Sequence, residues 1–141
     1  MRVLIVYDST YGHTERIAQA IGETIDGEVR HVGAMSPADL EGFDLLIIGS
    51  PTHGGFPTEG IHELVKGAPA VDGVAVAAFD TRTKRTIFGY AAPKIARNLE
   101  GSGGILVAPP EGFLVEGKKG PLKDGELERA ADWATQVGAA G

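Results

Sequence analysis

The chain has 141 residues, of which 43% are hydrophobic and 23% charged, values typical of one globular domain spanning residues 1–141. Its formal net charge of −6 argues against nucleic acid or an anionic membrane surface as a partner, whereas an acidic face would suit a basic protein. Cysteine is absent, which excludes disulfides, thiol chemistry and cysteine-bound metal clusters.

The sequence also suggests where the protein works. Its first apolar segment begins at residue 2 or 3, so we expect no signal peptide. No apolar run approaches the ~20 residues that a membrane-spanning helix needs. Because a chain without cysteine also fits a reducing compartment, we expect a cytoplasmic protein with no membrane association.

The first half of the chain alternates between strand-like and helix-like hydrophobic patterns. The predicted elements are a strand over 2–7, a helix over 14–26 with Gly27 at its C-cap, an edge strand over 28–32, a short helical turn opened by Ser36 and Pro37, and a central strand over 43–49. His31 is expected to be an exposed residue of the edge strand.

The second half continues this alternation. The predicted elements are a helix over 59–67, a strand over 73–79, a helix over 88–100, a strand over 104–107 and a last helix over 125–138 capped by Asp124. The residues 108–123 are irregular, and within them Phe113-Leu114-Val115 is expected to form a strand segment or a flap on the sheet edge. Trp133 is expected to be a packing or half-exposed residue of the last helix.

This alternation predicts an α/β fold, a five-stranded parallel sheet with helices on both faces in a three-layer sandwich. Five such strands fit the doubly wound order 2-1-3-4-5. Ligands of such sheets bind outside the carboxyl ends of the strands, where the strand order reverses. Polar loops follow predicted strands 1, 3 and 4, so these loops form the candidate site.

The first of these loops, Asp8–Thr14, joins a strand to a helix N-terminus, where free N–H groups and the helix dipole favour an anion. Ser9, Thr10 and Thr14 add hydroxyl donors, and Gly12 allows the backbone to approach a ligand closely. The loop contains no Lys or Arg, so hydrogen bonds alone would hold a phosphate there. An ordinary N-cap is the alternative, and the spacing matches neither a Walker A loop nor G-x-G-x-x-G.

Other occupants of this edge are excluded on chemical grounds. A phospho-acceptor receiver domain needs an aspartate at the end of strand 3, but that strand ends Ile48-Gly49-Ser50-Pro51. A phosphatase-like loop needs a cysteine nucleophile, which the chain lacks. The histidines at 13, 31, 53 and 62 show no recognisable metal-ligand spacing, so we predict no metal site.

The loops together resemble those of flavodoxins. Ser9-Thr10-Tyr11-Gly12-His13-Thr14 is similar to the loop that wraps the phosphate of flavin mononucleotide (FMN), with Tyr11 where many members have Thr. Ser50-Pro51-Thr52-His53-Gly54-Gly55 resembles their second flavin loop, and Phe79-Asp80-Thr81-Arg82 lies where members contact the pyrimidine edge of the flavin. The resemblance covers about residues 2–107.

The resemblance implies FMN as the cofactor. It places His53 where many members have a stacking aromatic residue or Met, and Gly54 where a peptide carbonyl can turn toward flavin N5. Without the resemblance, Gly54-Gly55 fits a flexible turn equally well, and His53 fits a solvent-exposed loop histidine equally well. The implied FMN-binding residues are Ser9, Thr10, Tyr11, Gly12, His13, Thr14, Pro51, Thr52, His53, Gly54, Gly55, Asp80, Thr81 and Arg82.

The third loop departs from its relatives by carrying Arg82, Lys84 and Arg85 where members often have acidic residues and a Tyr. We expect this cluster to be a solvated loop rather than a recognition patch. If it lies near the flavin, its positive charges favour the negatively charged reduced form. Tyr90 is expected inside the following helix.

These features predict an FMN-binding electron carrier with no catalytic residue of its own, because the cofactor carries the redox chemistry. Its partner would be a flavin or iron–sulfur reductase, and the chain a monomer or a weak homo-oligomer. One alternative is an NAD(P)H:quinone oxidoreductase of the flavodoxin-like superfamily, for which Tyr11-Gly12-His13 is suggestive. The other is an interaction domain without flavin.

Overall fold

The structure, a computed structural model, describes residues 1–84 and 89–141. Its helices and strands are β1 (Val3–Tyr7), α1 (His13–Ile25), β2 (Glu28–His31), β3 (Leu45–Pro51), α2 (Glu59–Val65), β4 (Ala75–Arg82), α3 (Ala91–Gly101), β5 (Ile105–Leu106), β6 (Glu111–Leu114) and α4 (Glu126–Ala140). Short 3-10 turns lie at Val32–Ala34, Pro37–Leu40 and Pro69–Val71. No helix of the described residues is long and apolar enough to cross a membrane.

These strands pair in parallel in the order β2-β1-β3-β4-β5, and β6 also pairs with β4. β5 pairs with Ala75 and Val76, whereas β6 pairs with the last four residues of β4, Phe79–Arg82. The two short strands therefore share the fifth position of the sheet. Between them lie Pro109 and Pro110, which have no N–H to donate to a neighbouring strand. The predicted order 2-1-3-4-5 is confirmed, with its fifth strand divided in two.

Alternating residues of the central strands supply two cores, one on each face of the sheet. One core joins Leu4, Leu46 and Val76 to the apolar sides of α2 and α3. The other joins Ile5, Ile47 and further odd-numbered strand residues to α1 and α4. Both the even-numbered and the odd-numbered residues of these strands are apolar. Helices therefore cover both faces of the sheet, as the near-continuous apolar runs predicted.

Three aromatic rings form the centre of the second core. Phe79 from β4, Phe113 from β6 and Trp133 from α4 make mutual edge-to-face contacts, each pair with ring centroids 6.1 Å apart. Trp133 is 5% exposed, so its prediction as a packing residue is confirmed. Phe113 belongs to β6, which confirms the strand alternative for that segment.

Two helix caps differ from the sequence prediction. The C-cap of α1 is Asp26 rather than Gly27, and Asp26 itself adopts the left-handed conformation with φ 54°. Gly27 packs closely on the core instead, because a Cβ there would overlap the end of the Ile5 side chain, which would have to shift. The N-cap of α4 is Gly125, at φ 84°, rather than Asp124. No described side chain caps α4, so Asp124 does not act as the predicted cap.

The ends of two central strands also differ. Residues 80–82 were expected in a polar loop, but they continue β4 because β6 pairs with all three and β3 pairs with Asp80 and Thr81. Likewise β3 extends to Pro51. Tyr90 lies at the N-cap of α3 rather than inside the helix, which begins at Ala91. The expected start of this helix, residue 88, and Arg85 fall outside the described residues.

Candidate functional site

A cavity of about 540 Å³ opens at the carboxyl edge of the sheet, where the loops after β1, β3 and β4 meet. Its walls combine hydroxyl, imidazole and aliphatic groups. The lining residues are Ser9, Thr10, Tyr11, His13, Thr14, Pro51, Thr52, His53, Gly54, Thr81, Arg82, Thr83, Val115 and Lys118. Eleven of these, all but Thr83, Val115 and Lys118, were predicted from the sequence.

The first loop turns into α1 at Gly12, whose φ of 90° favours glycine. The Ser9 hydroxyl accepts a hydrogen bond from the Gly12 N–H at 2.9 Å, so this side chain closes the loop. Among residues 1–84 and 89–141, no side chain caps the N-terminus of α1. The first N–H groups of the helix are therefore available to an anion, and the N-cap alternative for these hydroxyls does not apply to α1.

Hydrogen bonds between side chains tie the first loop to the other two. The hydroxyls of Thr14 and Thr81 lie 2.8 Å apart, and both side chains are buried. On the exposed side, the Thr10 hydroxyl lies 3.2 Å from Nε2 of His53. The first loop is thus joined to the second by a surface contact and to the third by a buried one.

The second loop is a tight turn in which His53 and Phe56 exchange backbone hydrogen bonds of 2.8 and 3.0 Å. Gly54 and Gly55 occupy the turn at φ 56° and 87°, both in the left-handed region. The Lys94 ammonium donates to the Gly55 carbonyl and lies 4.1 Å from the centre of the Phe56 ring. Gly54-Gly55 is therefore held as a defined turn.

The third loop contains a buried ion pair. Asp80 has no exposed surface, and its carboxylate accepts two hydrogen bonds of 2.7 Å from the Arg82 guanidinium. The Ala92 N–H donates a third at 2.9 Å. The guanidinium also stacks on the Tyr90 ring, 3.5 Å from its centre. The expectation that Arg82 belongs to a solvated basic cluster is wrong, because Asp80 balances its charge.

Three predicted residues do not line the cavity. Gly12 forms the corner at the start of α1, and Gly55 forms the corner of the second loop. Asp80 is buried and pairs with Arg82, which does line the cavity. Their contribution is to fix the backbone or the side chain of a neighbour that does face the cavity.

Sequence reasoning missed the contribution of residues 115–118. Val115 and Lys118 reach the cavity from the segment that follows β6, which no motif marks. The pairing of β6 with Phe79–Arg82 brings this segment beside the end of β4. Such a placement depends on a long-range strand pairing, so local patterns could not have predicted it.

Tyr7 lies at the end of β1, directly before the first loop. Burial raises the pKa of its phenol, and the hydrogen bond to Glu15 raises it further. The phenol therefore stays protonated near neutral pH and donates to the Glu15 carboxylate in the first turn of α1. Among the described residues no group of three His, Asp or Glu side chains is placed to hold a metal ion.

The comparisons with known proteins agree with this geometry. The chain matches the flavodoxin family model over residues 5–133, and it belongs to the flavodoxin family. Flavodoxin 2 from Bacillus cereus is 23% identical, with a TM-score of 0.85 over 99% of both chains. Flavodoxin 1 from the same organism is 19% identical, with a TM-score of 0.83 over 97% of both chains. At these identities the structural likeness shows the fold alone.

A curated relative, an NAD(P)H dehydrogenase (quinone) from Gluconacetobacter diazotrophicus, is 30% identical over 79 residues. The alignment covers 38% of this chain and 40% of that relative. The chain therefore aligns with less than half of the relative's length. Family membership supports a flavin-binding, electron-transfer role.

The residues of the cavity fit a flavin nucleotide. The volume of the cavity lies within the range of about 300–1,000 Å³ usual for small-molecule sites. The uncapped N-terminus of α1 offers N–H groups to a phosphate, and the Pro51–Gly54 loop offers a flat ring both backbone and imidazole contacts. Nε2 of His13 is buried without a hydrogen-bond partner among the described residues, so the polar groups at this end are not all satisfied by the protein.

Proposed function

We propose that the chain binds FMN in this cavity and carries electrons between protein partners. The observation that carries the proposal is the meeting of three loops at the carboxyl edge of a 2-1-3-4-5 sheet, around an uncapped helix N-terminus. In this proposal the cofactor supplies one- and two-electron chemistry, and the protein supplies binding and electrostatic tuning.

The proposed roles of the side chains follow their positions. The N–H groups of α1, with Thr10, His13 and Thr14, bind the phosphate. His53 and Gly54 contact the ring system, while the buried Thr14–Thr81 hydrogen bond keeps the first and third loops together. None of these groups has to gain or lose a proton for an electron to pass.

The proposed partner is a flavin or iron–sulfur reductase, met in a short-lived encounter in the cytoplasm. The chain would act as a monomer or a weak homo-oligomer. Because the net charge is −6, such a partner is expected to present a basic surface.

The experiment that tests this proposal is a titration of the purified chain with FMN and with riboflavin, followed by absorption spectroscopy and calorimetry. FMN should bind at one site per chain and riboflavin more weakly. An absorption spectrum and heat signal unchanged by either flavin would overturn the proposal and favour the interaction domain without flavin.

The second candidate function is that of an NAD(P)H:quinone oxidoreductase. The partial likeness to a quinone dehydrogenase favours it, as does Tyr11, which is 43% exposed at the rim of the cavity. Stopped-flow reduction of the FMN-loaded protein separates the two functions. Rapid reduction by NADPH alone indicates the oxidoreductase, whereas a requirement for an added reductase indicates the carrier.

A further inference from the structure

The turn at residues 117–120 contributes Lys118 to the wall of the cavity. The Gly120 N–H donates to the Gly117 carbonyl at 2.9 Å, which makes a tight turn. On either side of it, Val115 pairs with Leu122, and the Glu116 N–H donates to the Pro121 carbonyl at 2.8 Å. These contacts form a small hairpin that begins directly after β6.

This hairpin is docked on the first residue of α1. The Gly120 backbone lies against the His13 imidazole so closely that a Cβ at position 120 would overlap the ring. At φ 93° the backbone also favours glycine here. The hairpin is anchored at its base as well, because the Val115 N–H donates to the Arg82 carbonyl at 2.9 Å. Its tip therefore lies beside the uncapped N-terminus of α1.

Lys118 is the residue of this tip that lines the cavity, and its neighbour Lys119 does not. Lys118 is exposed and makes no ion pair with any carboxylate of the described residues. The other cationic residue among those lining the cavity is Arg82, whose charge Asp80 balances. The positive charge that the first loop lacks is therefore supplied from a distant part of the chain.

We infer that Lys118 is a specificity-determining residue that pairs with the phosphate of the bound flavin nucleotide. This inference rests on the proposed binding of FMN. An ammonium group at the phosphate end strengthens binding of a dianionic monoester and leaves binding of the uncharged riboflavin nearly unchanged. Lys118 thereby adds charge selectivity to a site whose first loop offers only hydrogen bonds.

The test compares wild type, Lys118→Gln and Lys118→Arg with the matched control Lys119→Gln. Dissociation constants for FMN and riboflavin are measured by calorimetry at low and high ionic strength. At low salt, Lys118→Gln should weaken FMN binding by about 5- to 20-fold, because the lost charge-assisted contact is partly exposed. Riboflavin binding should stay within about twofold, since it has no phosphate to lose a partner.

The two other variants test whether the effect depends on a positive charge at position 118. Lys118→Arg should restore most of the FMN affinity, and Lys119→Gln, which removes the same charge one residue away, should bind FMN like wild type. At high salt the difference between Lys118→Gln and wild type should shrink, because exposed charges are screened.

Two results overturn the inference while leaving FMN binding intact. One is an FMN affinity of Lys118→Gln equal to that of wild type at low salt. The other is an equal loss for Lys118→Gln and Lys119→Gln, which would show a general charge effect. Failure of wild type to bind FMN would instead overturn the proposed function, and the inference with it.

Discussion

At the scale of single residues, Asp80 is a fully buried charged side chain at the edge of the site. Its carboxylate has no exposed surface and is held by two hydrogen bonds from Arg82 and one from the Ala92 N–H. Removing one partner of a buried ion pair leaves an uncompensated charge in the interior. The pair is therefore a position where substitution affects the whole fold rather than the flavin alone.

We predict that Arg82→Gln lowers the free energy of unfolding by about 2–4 kcal/mol. The loss lies near the lower end of the range for breaking a buried ion pair because 18% of the Arg82 side chain is exposed. Urea denaturation at pH 7 measures this change. Lys84→Gln is the matched control, since it removes an exposed cation two residues away and should stay within about 0.5 kcal/mol of wild type. A loss for Arg82→Gln no larger than this control would contradict the role given to the pair.

Thr14 joins the part of the cavity at the N-terminus of α1 to the end of β4. Its hydroxyl is buried against that of Thr81, and the residue is one of those that line the cavity. We predict that Thr14→Val weakens FMN binding by about 10- to 100-fold, the loss expected for a hydrogen bond to a charged group, and weakens riboflavin binding much less.

Calorimetric titration with both flavins measures this difference. Thr24→Val, near the opposite end of α1 with an exposed hydroxyl, is the control and should bind FMN as wild type does. Equal losses of FMN and riboflavin affinity in Thr14→Val would show that this residue supports the cavity without contacting the phosphate.

At the scale of elements, α4 is fastened to β6 by Glu126 and Arg129. Glu126 accepts the Leu114 N–H at 2.6 Å and pairs with Arg129 at 2.8 Å. Arg129 reaches on to Glu111 at 2.8 Å and to the Gly112 carbonyl. The hydrogen bond from Arg129 is the main cause that lowers the pKa of Glu126, supported by the Leu114 N–H. This helix, whose N-terminus no described side chain caps, is thus joined to the sheet by its first turn.

The lowered pKa of Glu126 determines how its contribution to the free energy of unfolding changes with pH. Because Glu126 holds its proton less strongly in the folded chain, its stabilisation is complete above the unfolded-state pKa of about 4.3 and is lost as pH falls through the folded-state pKa. We predict that Glu126→Gln costs about 1–3 kcal/mol of unfolding free energy at pH 7, and that the difference from wild type shrinks below about pH 4.

Chemical denaturation at several pH values measures this dependence. Glu128→Gln lies in the same first turn but is exposed, so it controls for the interaction of a carboxylate with the helix dipole. A Glu126→Gln defect that is constant from pH 7 to pH 3 would show that the loss is one of packing rather than of charge.

The elements were predictable where the pattern was local. Strands buried on both faces and helices with one apolar side predicted a parallel sheet covered on both faces, and the doubly wound order that five such strands fit brought the three loops to one edge. The interactions between distant residues were not predictable: the pairing of β6 with Phe79–Arg82 turns an expected polar loop into strand. The same pairing sets the Asp80–Arg82 pair beside Gly112 and brings Lys118 to the cavity.

At the scale of the whole molecule, the cavity lies between elements that belong to both cores. Thr14 comes from α1 on one face, whereas the Asp80–Arg82 pair contacts α3 on the other. A ligand that bridges these loops stabilises the folded chain by mass action, because the unfolded chain has no such site.

We therefore predict that FMN at 100 times its dissociation constant stabilises the fold by about 2.7 kcal/mol. For a chain of this size that corresponds to a rise in melting temperature of roughly 6–12 °C, measured by scanning calorimetry. Riboflavin at the same concentration should give a smaller rise. A melting temperature independent of FMN would contradict binding to the folded state.

The cluster of Phe79, Phe113 and Trp133 has an optical consequence. Trp133 is the chain's single tryptophan, and its indole is buried where β4, β6 and α4 meet. Its fluorescence therefore comes from one known position, with emission at short wavelength while the indole is dry and at longer wavelength once water reaches it. Detachment of α4 from β6 would shift the Trp133 emission to longer wavelength, without any label being added to the protein.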